Sequence, residues 1–152
     1  MANETVSAPE QKLIVFQLKD KEYVIPVEEV KSIERPLPIT RVPGTPPYIK
    51  GVMNLRGLVI PVIDLKVRLG MEEEAINEKT RIVIVLVEGH EVGFIVDGAN
   101  DVIDVAKDAI EPPQHTSNEK VDEFIEGVFQ YQKRIMILLK LGKVLEKEMA
   151  HF

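Results

Sequence analysis

The chain has 152 residues, 45 % of them apolar and 29 % charged, a balance that suits a folded chain with a real core and excludes a disordered one. Its 19 basic and 25 acidic residues leave a net charge of −6, a field that repels phosphate backbones in the absence of a local basic patch. The absence of cysteine excludes disulfides, thiolate nucleophiles and thiolate metal sites together.

Residues 1–10 are polar and read as a flexible tail; they lack the basic start and apolar stretch of a signal peptide, so the cytoplasm is the expected compartment. Residues 12–18 are rich in β-branched and aromatic side chains, 19–21 make a polar turn, and 23–27 alternate, which predicts a hairpin. Val30 and Ile33, three apart, predict one helical turn over 28–33. Pro36, Pro38, Pro43, Pro46 and Pro47 then impose an extended, rigid loop.

Residues 49–55 and 58–63 flank Arg56 and Gly57, the pattern of a second hairpin. A short helix starts at Leu65 and stops at Gly70. After a charged linker over 71–80, the plan restarts at Arg81 with a nearly continuous apolar strand, a turn at Gly89 and a strand over 91–96. The last residues, about 141–152, have helical spacing and predict a C-terminal helix. The longest apolar runs, 58–63 and 81–87, are too short to cross a bilayer, so no direct membrane insertion is expected.

The restart is a duplication. An offset of 69 lays residues 13–33 on 82–102, and an offset of 76 lays 48–69 on 124–145 with Ile49, Gly51, Val52, Leu65 and Leu69 identical in both copies. The difference is a seven-residue extension between Val105 and Glu123. Many short strands, few helices and a repeat predict a mainly β fold of two small five-stranded barrel lobes, about 11–70 and 81–140, with strands free to exchange between them. The shared core is expected at Val15, Ile25, Val27, Val52, Ile60 and Val62, and at Ile84, Phe94, Val96, Val128, Met136 and Leu138.

Where the copies differ, function has room to diverge. Asn54, Leu55, Arg56 and Gly57 stand opposite Gln130, Tyr131, Gln132 and Lys133, and an arginine at a hairpin tip offers a planar fork of donors to a partner's carboxylate or carbonyls. A solvated turn arginine is the plainer alternative.

Tyr48 to Leu65, with Ile-Lys-Gly-Val, Asn-Leu-Arg-Gly and Ile-Pro-Val-Ile-Asp-Leu, closely resembles the CheW family of chemotaxis coupling proteins. The likeness extends to the first hairpin and to Val96-Asp97-Gly98. It implies two SH3-like barrels and a non-catalytic scaffold of two-component chemotaxis signalling. The implied partners are the regulatory domain of the histidine kinase CheA and the cytoplasmic tips of methyl-accepting chemoreceptors. It places Arg56 near those contacts, Asn54 and Gly57 shaping its turn, Gly51 entering the strand, and Val30 and Gly98 at family positions. The match departs at Ser32, where the family often has glutamate; Glu34, two residues later, is a candidate contact in its place, although on a short helix it would point elsewhere.

An adaptor needs exposed apolar patches, and the candidates are Val30, Ile39 and Val42 in the first copy and Val102, Ile103 and Val105 in the second. An enzyme reading finds little support: Ser7, Ser32 and Ser117 lack a nucleophile motif, and His90, His115 and His151 lack metal-ligand spacing, so neither metal nor cofactor is expected. Asp64 and Asp97, which end strands, are expected to cap the following turns. A small-barrel nucleic-acid binder is the alternative by fold, but eight aromatics and no interleaved basic cluster oppose it.

Overall fold

The computed structural model describes residues 9–112 and 123–145. Residues 1–8 of the expected tail, most of the extension in the second copy, and 146–152 of the expected C-terminal helix lie outside the described residues, as do Ser7, His115, Ser117 and His151.

Ten strands run in chain order: β1 Glu10–Leu18, β2 Lys21–Pro26, β3 Val30–Glu34, β4 Ile49–Leu55, β5 Leu58–Asp64, β6 Arg81–Val87, β7 His90–Val96, β8 Gly98–Ala106, β9 Ile125–Tyr131 and β10 Arg134–Leu139. Two single-turn helices follow the strands that end each copy, α1 Leu65–Arg68 and α2 Leu141–Val144. Asp64 accepts a hydrogen bond from the Val67 amide at 3.3 Å and so caps α1 as expected.

The strands form two five-stranded sheets, ordered β8-β1-β2-β10-β9 and β3-β6-β7-β5-β4. Each draws on both copies, so the lobe boundaries expected at 11–70 and 81–140 do not delimit the sheets. The strands are exchanged across the linker. The exchange is made by two parallel pairs, β2 with β10 and β5 with β7. These pairs are the same junction repeated: Val62 opposite Gly93 becomes Leu138 opposite Val24 under the offsets of 76 and 69. The edge strands of each sheet are not hydrogen-bonded to each other, so the lobes are curled open sheets and not closed barrels.

Exchange explains the unbroken apolar runs. In β1, Leu13 and Val15 face the core of one lobe, while Ile14, Phe16 and Leu18 face a central core between the two sheets. In β6, Ile82 and Ile84 face the other lobe's core, and Val83 and Val85 meet the same central core. A strand buried on both faces has no use for polar alternation.

Of the twelve expected core residues, nine are buried, but Val27, Val52 and Val128 are only half-buried. In β4 and β9 the deeply buried neighbours are Met53 and Phe129. The register of β4 shifts between Ile49 and Gly51, so Ile49 faces the central core while Met53 and Leu55 face the lobe core. The expectation rested on residues shared by the two copies, and Val52 and Val128 are shared on the outward face, where alternation buries Gly51 and Met53, and Gly127 and Phe129, instead.

The helical turn expected over 28–33 also resolves differently. A 3-10 turn covers only Val27–Glu29, and Val30–Glu34 is an edge strand against β6. Spacing of three was a poor guide because Val30, Ser32 and Glu34 are the partly covered residues, with period two, and Ile33 is exposed.

Candidate functional site

Four hairpin tips close the strand pairs, and the one between β4 and β5 carries the most distinctive chemistry. Leu55 pairs with Leu58, leaving a two-residue turn in which Arg56 has φ +52° and Gly57 φ +88°. Two left-handed residues give the turn that matches strand twist, and glycine relieves the second position. Asn54 fastens it by accepting the Gly57 amide at 2.9 Å.

The Arg56 fork reaches across the open side of the curled sheet to Glu34 on β3, the opposite edge strand. Its two terminal nitrogens donate to the two carboxylate oxygens at 3.3 and 3.5 Å. Arg56 is 72 % exposed and Glu34 only 16 %. The Ser32 hydroxyl holds the Glu34 carboxyl below the usual glutamate range; burial opposes it, and Arg56 adds a further lowering. On a strand, Ser32 and Glu34 share one face. The expectation that Glu34 points elsewhere is thereby corrected.

Beside the tip lies a groove of about 510 Å³ walled by Val52, Leu58, Val59, Pro61, His90 and Glu91. Leu58 and Val59 are among the exposed large apolar residues of the chain. The corresponding place in the other lobe is occupied differently. Arg134, which stands at the repeat position of Leu58, pairs with Glu22 at 3.1 Å and with Asp101 at 3.7 Å and lies 5.8 Å from the Tyr131 ring centre. The duplicated plan therefore yields two dissimilar ends.

The other expected contact residues are scattered. Val30 is half-buried against the central core, and Ile39 half-buried against one lobe core. Val42 is half-buried in the proline-rich loop, where its carbonyl accepts the Thr45 hydroxyl at 2.9 Å. Gly98 opens β8 against Gln17. Val102 is exposed, but Ile103 and Val105 are buried in a lobe core, because alternation along β8 turns them inward. They cannot form an exposed patch. Gly51 is buried as well, lying beneath the Thr40 carbonyl. Pattern reading missed the outward Leu58, Val59 and Ile135; the repeat itself held the clue, since Val59 and Ile135 are equivalent.

A second polar feature joins the lobes. The Lys66 side chain, 4 % exposed, places its ammonium 2.6 Å from Asp97 and 2.7 Å from Glu74 of the linker. Asp97 does not cap a helical turn. Its other oxygen accepts the Lys19 backbone amide at 2.6 Å, tying the β1–β2 turn to the end of β7. Burial opposes the Lys66 charge, but the two carboxylates outweigh it and hold the amine above its usual range. Among the described residues no His, Cys, Asp or Glu cluster could hold a metal ion.

Comparison with known proteins agrees with this architecture. The model of the CheW-like domain family matches residues 12–149. The chemotaxis protein CheW of Bacillus subtilis is 46 % identical over 138 residues, covering 91 % of this chain and 88 % of that one. The CheW protein of Klebsiella aerogenes is 32 % identical over 148 residues, covering 97 % and 87 %. The crystal structure of the scaffolding protein TtCheW from Thermoanaerobacter tengcongensis superposes with a TM-score of 0.83 at 35 % identity, covering 91 % of this chain and 94 % of that one. With a family match over nearly its whole length and the duplicated, strand-exchanged sheets described above, the chain belongs to the CheW family of chemotaxis proteins.

Proposed function

We propose that this adaptor joins the regulatory domain of the chemotaxis histidine kinase CheA to the cytoplasmic tips of methyl-accepting chemoreceptors, at arrays on the cytoplasmic side of the membrane. As a member of a family of non-catalytic scaffolds, the chain serves chemotaxis signalling complexes and is not an enzyme. Among the described residues no helix is long and apolar enough to cross a membrane.

The observation that carries the proposal is the difference between the two ends. At one, Arg56, 72 % exposed and paired with Glu34, stands beside an open apolar groove; at the other, Arg134, 39 % exposed, pairs with Glu22 and Asp101 and lies 5.8 Å from the Tyr131 ring centre. A protein that must hold two unlike partners needs two unlike surfaces. Arg56, Asn54 and Gly57 form the first surface in this reading, with Glu34 behind them. Val30, Ile39, Val42, Gly98 and Val102 are further proposed contacts on the lobes' flanks.

Arg56→Glu is expected to weaken binding of the kinase regulatory domain or the receptor-tip fragment by about tenfold, the equivalent of about 1.4 kcal/mol. The urea midpoint should fall only slightly, because the side chain is exposed and the loss is confined to its pair with Glu34. Titration calorimetry with each fragment, alongside urea unfolding, provides the check. Undiminished binding of both would remove Arg56 from the interface.

A further inference from the structure

The duplication has an axis, and Arg68 sits on it. The reciprocal junctions, β2 with β10 and β5 with β7, interchange the two copies about a local twofold. Under the offset of 76, Tyr48 corresponds to Phe124 and Arg68 to Val144. The backbone obeys this correspondence: the Asp64 amide donates to the Tyr48 carbonyl at 2.7 Å, and the equivalent Lys140 amide donates to the Phe124 carbonyl at 2.8 Å. The Arg68 guanidinium carbon lies 4.7 Å from the Tyr48 ring centre and 4.7 Å from that of Phe124. Its Nε donates at 2.8 Å to the carbonyl of Val144, its own equivalent, and Nη2 donates to the Lys143 carbonyl at 3.4 Å. A group equidistant from two equivalent rings and bonded to its own equivalent lies at the axis, where a second guanidinium would collide with the first and repel it. The second copy has a buried valine there instead.

These contacts cross between the lobes. Tyr48 and α1 flank β4 and β5 of one sheet, and Phe124 and α2 flank β9 and β10 of the other. Around them Leu65 and Leu69 share the central core with Leu141, Val144 and Leu145. Apolar burial holds two surfaces together but has no direction, so by itself it tolerates rotation of one lobe on the other. Arg68 supplies the direction. The last carbonyls of a helical turn have no partner within it, and a charged donor fork fixes both distance and angle to them. The two ring faces fix the cation between them. Lys66, roughly 200° away around the same turn, reaches Asp97 instead, whose other oxygen holds the Lys19 amide of the opposite lobe. The single turn α1 is thus fastened to the other lobe on two sides.

We infer that Arg68 is a positioning residue: seated on the local twofold, it locks the two lobes in one relative orientation and so sets the spacing at which the scaffold presents its two unlike ends. The lock concerns the chain alone. The spacing role rests on the adaptor reading and deepens it, since partners held on different lobes keep a fixed geometry only if the lobes do. Arg68 touches neither partner in this role and acts through the α2 backbone and the two rings.

The chain has no cysteine, so two introduced ones take spin labels cleanly: Leu86→Cys on β6 of one sheet and Gln130→Cys on β9 of the other, both exposed. Pulsed double electron–electron resonance then reads the distance between the lobes of the full chain. Wild type, R68M, R68K and a control, Ile103→Val inside one lobe core, are compared. Methionine keeps the length and the apolar stem and removes the charge and the donors. R68M is expected to raise a second, displaced distance population about tenfold, to about a tenth of the molecules, and R68K, which keeps the cation, to raise it less. Ile103→Val should lower the urea midpoint and leave the distances as in wild type. A single wild-type distance in R68M, or the same spreading in the control, would overturn the lock. Should R68M fail to fold, R68K against wild type decides in its place. With the labels moved to the bound kinase regulatory domain and receptor-tip fragment, R68M should bind each within about twofold of wild type yet spread their separation. An unchanged separation would overturn the spacing role. Failure of the wild type to bind either fragment would overturn the adaptor reading and the spacing role with it, while the free chain's own distances still decide the lock.

Discussion

Replacing Gly51 by alanine is expected to destabilise the chain by about 3 kcal/mol, lowering the thermal midpoint by about 6–12 °C. The loop of residues 35–48 returns over β4, and Thr40 exchanges both backbone hydrogen bonds with Val52 at 2.8 Å. That close approach leaves no volume above Gly51. An added Cβ would penetrate the Thr40 carbonyl oxygen and lie 2.7 Å from its carbon, and the φ of +141° is unfavourable for any side chain. The second copy repeats the arrangement. Glu111 exchanges the same two bonds with Val128 at 2.8 Å, and a Cβ on Gly127 would lie 2.5 Å from Ile110 Cγ2. Gly127→Ala should therefore be damaging too, whereas Gly44→Ala, with open space around it, meets only the strain of its φ of +79° and should cost less, about 1 kcal/mol. Differential scanning calorimetry of the three variants decides the matter. Equal, small losses at all three would show that the loops do not press on the strands.

Asp97→Ala is the second large effect, expected at about 2 kcal/mol after allowing for the partial exposure of the aspartate. The substitution leaves the buried Lys66 ammonium with Glu74 alone and removes the acceptor of the Lys19 amide, loosening the turn of one lobe from the other. The pH dependence has a definite sign. Lys66 is held above its ordinary value of 10.5 in the folded chain, so its contribution is complete below that pH and is lost as pH rises through the folded value. The stability gap between wild type and Asp97→Ala, measured by urea unfolding, should be constant near neutrality and narrow beyond pH 10.5. A gap that widened there would contradict the assignment of the ion pair.

The repeat was legible because apolar residues and one glycine recur at fixed offsets, and that glycine, Gly51 with Gly127, proves to be where a loop crosses each sheet. Which strands share a sheet was not. Nothing in the local pattern of β2 says that its parallel neighbour is β10, since Glu22 pairs with Met136 and periodicity carries no information about so distant a strand. Identity between the copies misled at Val52, which alternation along β4 places on the outward face and leaves only half-buried. In β8 the apolar run 102–103–105 could not reveal which face was inward until its pairing with β1 put Ile103 opposite Leu13. At the candidate site, the Arg56 turn was plain from Asn-Leu-Arg-Gly, but the Glu34 contact was hidden by reading 28–33 as helix. The Lys66 hub was missed because its acceptors lie in the linker and at the end of β7, far along the chain.

In the proposed role one molecule holds two unlike partners at once. Size-exclusion chromatography with light scattering, on an equimolar mixture of this chain, the CheA regulatory domain and a receptor-tip fragment, tests it directly. A single peak with the mass of all three components is the predicted result. Separate binary complexes, in which one fragment displaces the other, or no complex at all, would contradict it.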